Sequence, residues 1–552
     1  MRLAKRLCFI VLMSSLTFAQ TSTSNDAANT SNVADQLKKL QDGMAQQQQQ
    51  IQQQQQQLQK QQQEMEALRQ QLGTQQNVSA NGGTVSPRLM NASLNNTTST
   101  NPTTQPASDA PPQEDQTKES PLSFKIGGAQ FTPGGFMDFT SIFRTTNTGN
   151  AGGTNFFAIP FSNTVGGHLT ESRFTATNSR ISLKATEKFG KNDVTGYYEI
   201  DFLGNDAANV FVTSNSHTLR QRLYWVDLKR DKFEFLAGQS WSWLTPNRVG
   251  VSPIPSDVFF SQNMDFNYQV GLTWTRAPQV RFVYHPNDNW ALGVAMENPQ
   301  QFVGVGETIF PFAFNAQLGT QFDAANNPGT PNLHPDIIPK IAFDKDFDGR
   351  HFHIEAAGLL TSARSTNLVA GNFVKHTKEG GGFEAAINYE LVKNFRLVAN
   401  GFYSNGGGRY IFGQAPDVVV APNAAGTDVS LSLVHSGSGI GGFEWQATPK
   451  AAFYGYYGGV YAQRNAFIDT TNPLPGRFAG FGGPNSPNSA NRAIQEGTLG
   501  WIHTFWKNPQ YGAVQLITQA SYLTRSPWFV PNGAPKNAHL VMGWVDIRYV
   551  LP

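Results

Sequence analysis

The sequence is short of cysteine, of charge and of long apolar runs. Cys8 is the single cysteine among 552 residues, so no intrachain disulfide can form. Charged residues make up 14%, against roughly 25% in ordinary soluble proteins. Past the N-terminus no stretch reaches the roughly 18 apolar residues of a spanning helix. The mean hydropathy of −0.36 likewise excludes a bundle of membrane helices. Lys+Arg (41) and Asp+Glu (39) leave a net charge of +2. That balance excludes a strongly basic nucleic-acid binder and leaves solute preference open.

Glycine and aromatic residues fill the gap, with 52 Gly, 40 Phe, 15 Tyr and 10 Trp. At about 150 residues per domain the length alone would suggest three or four soluble domains. The composition argues instead for a transmembrane β-barrel. There lipid-facing and water-facing residues alternate, so mean hydropathy stays low.

The first residues read as an export signal. Arg2, Lys5 and Arg6 precede a mostly apolar run, Leu7 to Phe18, and Thr17-Phe18-Ala19 places cleavage after Ala19. A lipoprotein signal using Cys8 is the alternative, but no apolar region precedes that cysteine. Residues 33–72 then repeat every seven. One heptad position reads Leu37, Met44, Ile51, Leu58, Met65, Leu72; the other begins Val33, Leu40 and ends Leu68, with glutamines between. An unslipped register predicts a left-handed coiled coil and hence an oligomer. The competing reading is a Gln-rich low-complexity tract. Residues 73–120, rich in Asn, Thr, Ser, Pro and Gln, read as a disordered linker.

From about Phe124 onward, alternating runs are separated by Gly, Pro, Asn and Asp. The last is the clearest: Val545, Ile547, Tyr549 and Leu551 share one face, Asp546 and Arg548 the other. Short turns (392–394, 506–510) alternate with long irregular stretches (404–428, 464–492), as on the two sides of an outer-membrane barrel. The runs amount to about 16 antiparallel strands over 121–552, of the 9–11 residues a tilted membrane strand needs. Charges on one face predict a water-filled lumen rather than the packed core of a soluble sandwich or β-helix. Clusters such as Tyr454 to Tyr457 and Trp501 to Trp506 are candidates for interfacial girdles.

The order of parts resembles the trimeric DcaP-like outer-membrane porins. The residues carrying the resemblance are Gly134 to Phe139, Ser179 to Leu183, Leu219 to Arg222 and Gly238 to Ser242. It implies a sixteen-stranded trimer in the outer membrane of a Gram-negative-type bacterium. It also implies passage of small hydrophilic, often anionic solutes such as dicarboxylates. The coiled coil would then lie in the periplasm, clamping the trimer or reaching toward peptidoglycan.

Porins select with charged rings and with a loop folded into the lumen. Arg180 and Lys184 share a strand face, as do Arg220 and Arg222 with Tyr224; Arg248, Arg281 and Arg396 complete the candidate pore lining. Arginine suits carboxylates because its planar fork donates two hydrogen bonds. Each of these side chains equally fits a water-facing residue paired with Glu199, Asp201 or Glu297. After a strand over Phe233 to Gln239, about 25 irregular residues precede the next strand near Val270; such long loops tend to be functional. Trp241, Trp243 and Asn247 open this candidate constriction loop, whose alternative is an external loop.

Two motif matches carry less weight. Asp344 to Gly349 with Glu355 fits the EF-hand spacing, but its flanks read as strands and Asp348-Gly349 as a hairpin turn. Gly437, Gly439 and Gly442 match a dinucleotide spacing but lead into a strand. No cofactor, metal or nucleic-acid partner is expected. A barrel hydrolase would need a nucleophile motif, which is absent, so no enzyme is expected either. The remaining alternative is a structural or adhesin-type barrel anchored through the coiled coil.

Overall fold

In this computed structural model, the described residues are 120–148, 152–204, 217–258, 261–325, 329–412 and 414–552. The expected signal peptide, the coiled coil and the linker up to residue 119 lie outside them.

Sixteen antiparallel strands close into one barrel. They are β1 (Ala129–Arg144), β2 (Arg180–Phe189), β3 (Asn192–Asp201), β4 (Arg220–Arg230), β5 (Phe233–Trp241), β6 (Arg276–Asn287), β7 (Trp290–Glu297) and β8 (Asp336–Phe347). The second half comprises β9 (Arg350–Val369), β10 (Asn372–Val392), β11 (Phe395–Asn405), β12 (His435–Thr448), β13 (Ala451–Ala462), β14 (Asn491–Asn508), β15 (Gly512–Pro527) and β16 (Ala538–Val550). Each strand pairs with the next, and β1 pairs with β16 from Phe136↔Val550 to Arg144↔Met542. No unpaired edge runs along the wall, which is the condition for a sheet to cross a bilayer. A short segment, Glu171–Thr175, extends β2 along the upper half of β1. Asn178 and Ser179 bridge the break by bonding Asp138.

The alternation read in the sequence sorts into two faces. On β16, Val545, Ile547 and Tyr549 face outward and are exposed, whereas Asp546 is buried inward. Phe139, Phe282, Ile354 and Leu499 add to the apolar outer face. Short turns gather at one end. Asp348-Gly349 forms a two-residue turn with φ of 51° and 72°, a type I′ geometry that matches strand twist. Long connections gather at the other end and carry small sheets of their own, such as Val418–Pro422 on Val429–Leu433.

The lumen differs from the water-filled one expected. Residues 242–258 and 261–275 fold into it. Trp243, Leu244, Met264, Phe266 and Val270 pack against inward Ile142, Val283, Ile338, Val460 and Trp544. Interior-facing strand positions such as Ile142, Val283 and Trp544 therefore meet protein rather than water. The girdle expectation for Tyr454 to Tyr457 is half corrected: Tyr454 and Tyr456 are buried inside the barrel, and only Tyr457 faces outward.

Candidate functional site

The inward loop begins where β5 ends and is tied to wall strands around the barrel. Trp243 N donates to Glu297 on β7 at 2.6 Å. Asn247 N donates to Glu355 on β9 at 3.1 Å, and Lys340 on β8 donates to the Asn247 side chain at 3.1 Å. Asn388 on β10 donates to the Arg248 carbonyl at 2.9 Å. Arg248 itself crosses to β12, where its two terminal nitrogens meet both oxygens of Glu444 at 2.7 and 2.6 Å. Tyr456 also donates to Glu444, at 2.7 Å. Further along, Met264 N bonds Gln519 on β15, Val270 N bonds Glu496 on β14 and Thr273 N bonds Asn400 on β11. Polar wall residues thus satisfy loop backbone that would otherwise be buried without partners.

The glycines of β12 and β13 serve the same contact. A Cβ on Gly458 would stand 1.9 Å from the Val270 oxygen, and one on Gly271 (φ 96°) 2.1 Å from the Gly439 oxygen. The Gly437, Gly439 and Gly442 series lies inside β12; of the three, Gly439 meets the loop, through its carbonyl oxygen against Gly271.

A second feature lines the wall from β16 through β1 to β4. Arg220 grips Asp201 with two hydrogen bonds, at 3.0 and 2.6 Å. Arg222 bonds Asp201 at 2.7 Å and Glu199 at 2.6 Å. Arg180 stands 3.8 Å from Glu199. Arg180 and Arg548 lie over the Phe136 ring, 5.1 and 4.2 Å from its centroid. Arg548 pairs with Asp138 and Asp546. Tyr268 of the loop accepts from Arg222 at 3.2 Å. Burial alone would raise this phenol, but the Arg222 charge brings it below its ordinary range.

Two cavities share this ladder. The outer one, ≈420 Å³, is lined by Arg173, His217, Arg220 and Asn267. The inner one, ≈260 Å³, is lined by Arg180, Ser182, Lys184, Tyr197, Glu199 and Asp257. Arg220, Asp201, Arg222, Glu199 and Arg180 form an unbroken chain of contacts between them. Asp257, in the short helix Pro255–Val258, faces the inner cavity. Burial raises its carboxyl, against the opposing pull of Ser252, Ser256 and the Lys184 charge.

The structure thus brings Arg180, Lys184, Arg220 and Arg222 together on one wall. It does not bring Tyr224 with them. A β-bulge sets Glu199 opposite Leu223 but Ile200 opposite Gln221. The extra residue, Arg222, reverses the alternation, so Arg222 and Leu223 both point inward and Tyr224 outward. Arg281 is also placed differently from expectation. It is 3% exposed, bonded to Gln279 and the Trp241 carbonyl and stacked 5.6 Å from the Trp243 ring. It therefore holds the root of the loop and touches neither cavity. Arg248 is likewise buried as a tie. Arg396 sits 3.7 Å from Glu444 at the opposite wall. Trp241 and Trp243 are 1% exposed, so they are packing residues at the loop root. The loop runs on to Thr275, and Val270 begins no strand.

Sequence reading passed over Arg276 and Arg548. Arg276 lies over Trp241 at 5.4 Å, near Arg222 and Arg220. Arg548 showed its polar face in the final strand, but nothing in the sequence tied that strand to β1. Arg276 gives no signal in the sequence, because the pattern starts the next strand near Val270 whereas β6 starts at Arg276.

No family model matches the sequence, and no curated protein matches it. Among solved structures, the outer membrane channel DcaP of Acinetobacter baumannii is similar, with a TM-score of 0.53 and 17% identity. The match covers 78% of this chain and 100% of that one. An anion-selective porin from Comamonas acidovorans aligns more loosely, with a TM-score of 0.42 and 11% identity over 77% of this chain and 100% of that one. The likeness to the DcaP channel is one of fold: this chain builds a closed, sixteen-stranded antiparallel β-barrel.

Proposed function

We propose that this protein is an outer-membrane porin through which small hydrophilic solutes diffuse passively, with a preference for anions such as dicarboxylates. The observation that carries the reading is the ladder linking the two cavities. Arg180, Lys184, Arg220, Arg222 and nearby Arg276 outnumber the carboxylates Glu199, Asp201 and Asp257 along the route, so positive charge is in excess there. Arg220 keeps a side chain 36% exposed, and a guanidinium so placed is free to bind a passing carboxylate on its open side. Fixed carboxylates hold the arginines in position and keep each site weak enough to release its ion. The oligomer in this reading is a trimer, with residues 33–72 as its periplasmic clamp.

The test is planar-bilayer recording of the purified full chain, with reversal potential under a KCl gradient. Conductance steps in threes with chloride preferred are expected. Arg220→Gln, which keeps bulk and hydrogen bonding, is expected to shift the reversal potential toward potassium. Potassium preference in the parent protein would refute the arginine ladder as selector. The density of loop-to-wall ties favours one second reading, a closed barrel with a structural role. Silence from correctly folded protein would select it.

A further inference from the structure

The acidic, histidine-bearing stretch around the β8–β9 turn has a role that the arginine ladder does not use. Asp344 lies near the end of β8, and His351, His353 and Glu355 follow on β9. His353 pairs across the ladder with Asp344. The side chains of His353 and Glu355 are fully buried inside the barrel, and that of Asp344 is 17% exposed. The His353 ring stands between the two carboxylates. Its Nδ1 is 2.8 Å from Asp344 Oδ1, and its Nε2 is 3.2 Å from Glu355 Oε2. Each carboxylate in turn holds the inward loop. Both Asp344 oxygens accept from Gly250 N, at 3.0 and 3.1 Å. Glu355 Oε1 accepts from Asn247 N at 3.1 Å.

An ionised carboxylate only accepts, and a neutral imidazole carries a single N–H. With an acceptor at each nitrogen, only the imidazolium makes both bonds. The other charged groups near the ring have bonds of their own. Lys340 on β8 meets Glu355 Oε1 at 2.8 Å. Glu384 on β10 accepts from Asn400 at 2.6 Å. His351 bonds Asp346 at 3.0 Å and stands 3.3 Å from Asp344. Glu390 on β10 takes the Asn394 amide. Arg248 of the loop is paired with Glu444 across the barrel. The residue opposite His353 on β10 is the uncharged Asn388.

Loss of the ring's proton leaves a lone pair aimed at a carboxylate. Glu355 is the better held of the two, by Lys340 and by full burial. Asp344 reaches solvent and has His351 beside it, so Asp344 turns away and drops the Gly250 amide. The residues that follow, Ile254 to Asp257, line the inner cavity.

We propose that His353 is a proton-dependent latch on the inward loop: as imidazolium it holds Asp344 against the Gly250 amide, and on losing its proton it frees the stretch from Gly250 to Asp257. It is a positioning residue, acting through Asp344. The latch is complete below the pH at which the ring titrates and is lost as pH rises through it. One hydrogen bond to a charged group is at stake, so the population of freed loop should rise by about tenfold or more. On the porin reading of the barrel, the freed stretch alters the lining of the inner cavity and hence the current.

The test takes the purified full chain from about pH 6 to about pH 10, a span that covers perturbed as well as ordinary histidines. Hydrogen exchange in residues 247–257, corrected for its base-catalysed rise with pH, reads the loop directly. Single-channel noise reads it through the pore. In the parent protein corrected exchange is expected to quicken by about tenfold or more across the range, with noise rising alongside. H353Q is expected to show the freed loop at every pH. D344N keeps an oxygen for Gly250 and offers an N–H to a neutral ring, so its loop is expected to stay latched at every pH. H351Q, the control for the neighbouring ring, is expected to keep the parent's profile. A flat exchange profile in the parent would overturn the proposal. So would a parent-like profile in H353Q, or loss of the profile in H351Q. Silent recordings alongside the expected exchange pattern would remove the porin reading and leave the latch standing.

Discussion

Alanine at Gly458 tests whether the inward loop lies on the β12–β13 wall. The new Cβ would stand 1.9 Å from the Val270 oxygen, whereas such contacts in packed interiors rarely fall below about 3 Å, so the loop must retreat by about 1 Å. That retreat stretches the 2.9 Å bond from Val270 N to Glu496 beyond hydrogen-bonding range. Glu496 is 1% exposed and would keep only side-chain hydroxyl donors such as Thr498. Leaving the buried Val270 amide without its acceptor costs about 1–3 kcal/mol, and overpacking adds about 1–3 kcal/mol. The expected destabilisation is therefore on the order of 3–5 kcal/mol, read by denaturant unfolding followed through tryptophan fluorescence. Freed of one tie, the loop should also give noisier and larger single-channel currents. Gly441→Ala is the control, because its Cβ would find its nearest neighbour, the Val398 oxygen, at 4.0 Å. If G458A unfolds and conducts like G441A, the loop does not rest against this wall and its placement here is wrong.

Three further outcomes follow from the same geometry. Arg281→Ala removes the bonds that hold the Trp241 carbonyl and leaves Glu297 with the Arg409 charge alone, so stability should fall by about 3 kcal/mol. The reversal potential should stay put, because Arg281 touches neither cavity; a selectivity shift would return it to the pore lining. Asp417, in the long connection before Val418, accepts from the Phe302 and Arg409 amides, and burial pushes its carboxyl up to about 7. A raised carboxyl means the folded state holds a proton the unfolded state has lost, so stability declines between the ordinary Asp range and pH 7. Hydrogen exchange in residues 406–434, corrected for its base-catalysed rise with pH, should accordingly quicken from pH 5 to 7, and Asp417→Asn should flatten the dependence; an identical corrected profile in the variant would dismiss Asp417 as its cause. Deleting residues 33–72 should leave a folded barrel with a less heat-stable trimer; an equally heat-stable trimer would remove the clamp from the proposal.

The strand count and the two-faced walls were legible because a membrane barrel imposes one local rule on every strand. Each residue either meets lipid or does not, and period two records the answer directly in residues such as Val545, Asp546 and Ile547. The turns were legible for a similar reason: Asp348-Gly349 must adopt positive φ twice, and few residue pairs do so without strain. The site was less legible, because two of its determinants are not local. One is the bulge at Arg222. A single extra residue reverses every later position on β4, and the sequence Arg220-Gln221-Arg222-Leu223-Tyr224 contains no Gly or Pro to announce it. The other is the path of the loop. Arg248 and Arg281 read as pore arginines because they are charged residues in a barrel with a presumed aqueous interior. Whether such a residue meets water or a buried carboxylate depends on where the inward loop lies, and only the glycines at 271, 439 and 458 record that path. Those glycines belong to segments nearly 170 residues or more apart, so nothing in either stretch alone reveals that they fit. An arginine at an inward position of a barrel is therefore ambiguous from sequence between a selector and a strut. The carboxylate it faces and its remaining exposure decide between the two: 36% for the Arg220 side chain and 4% for that of Arg248.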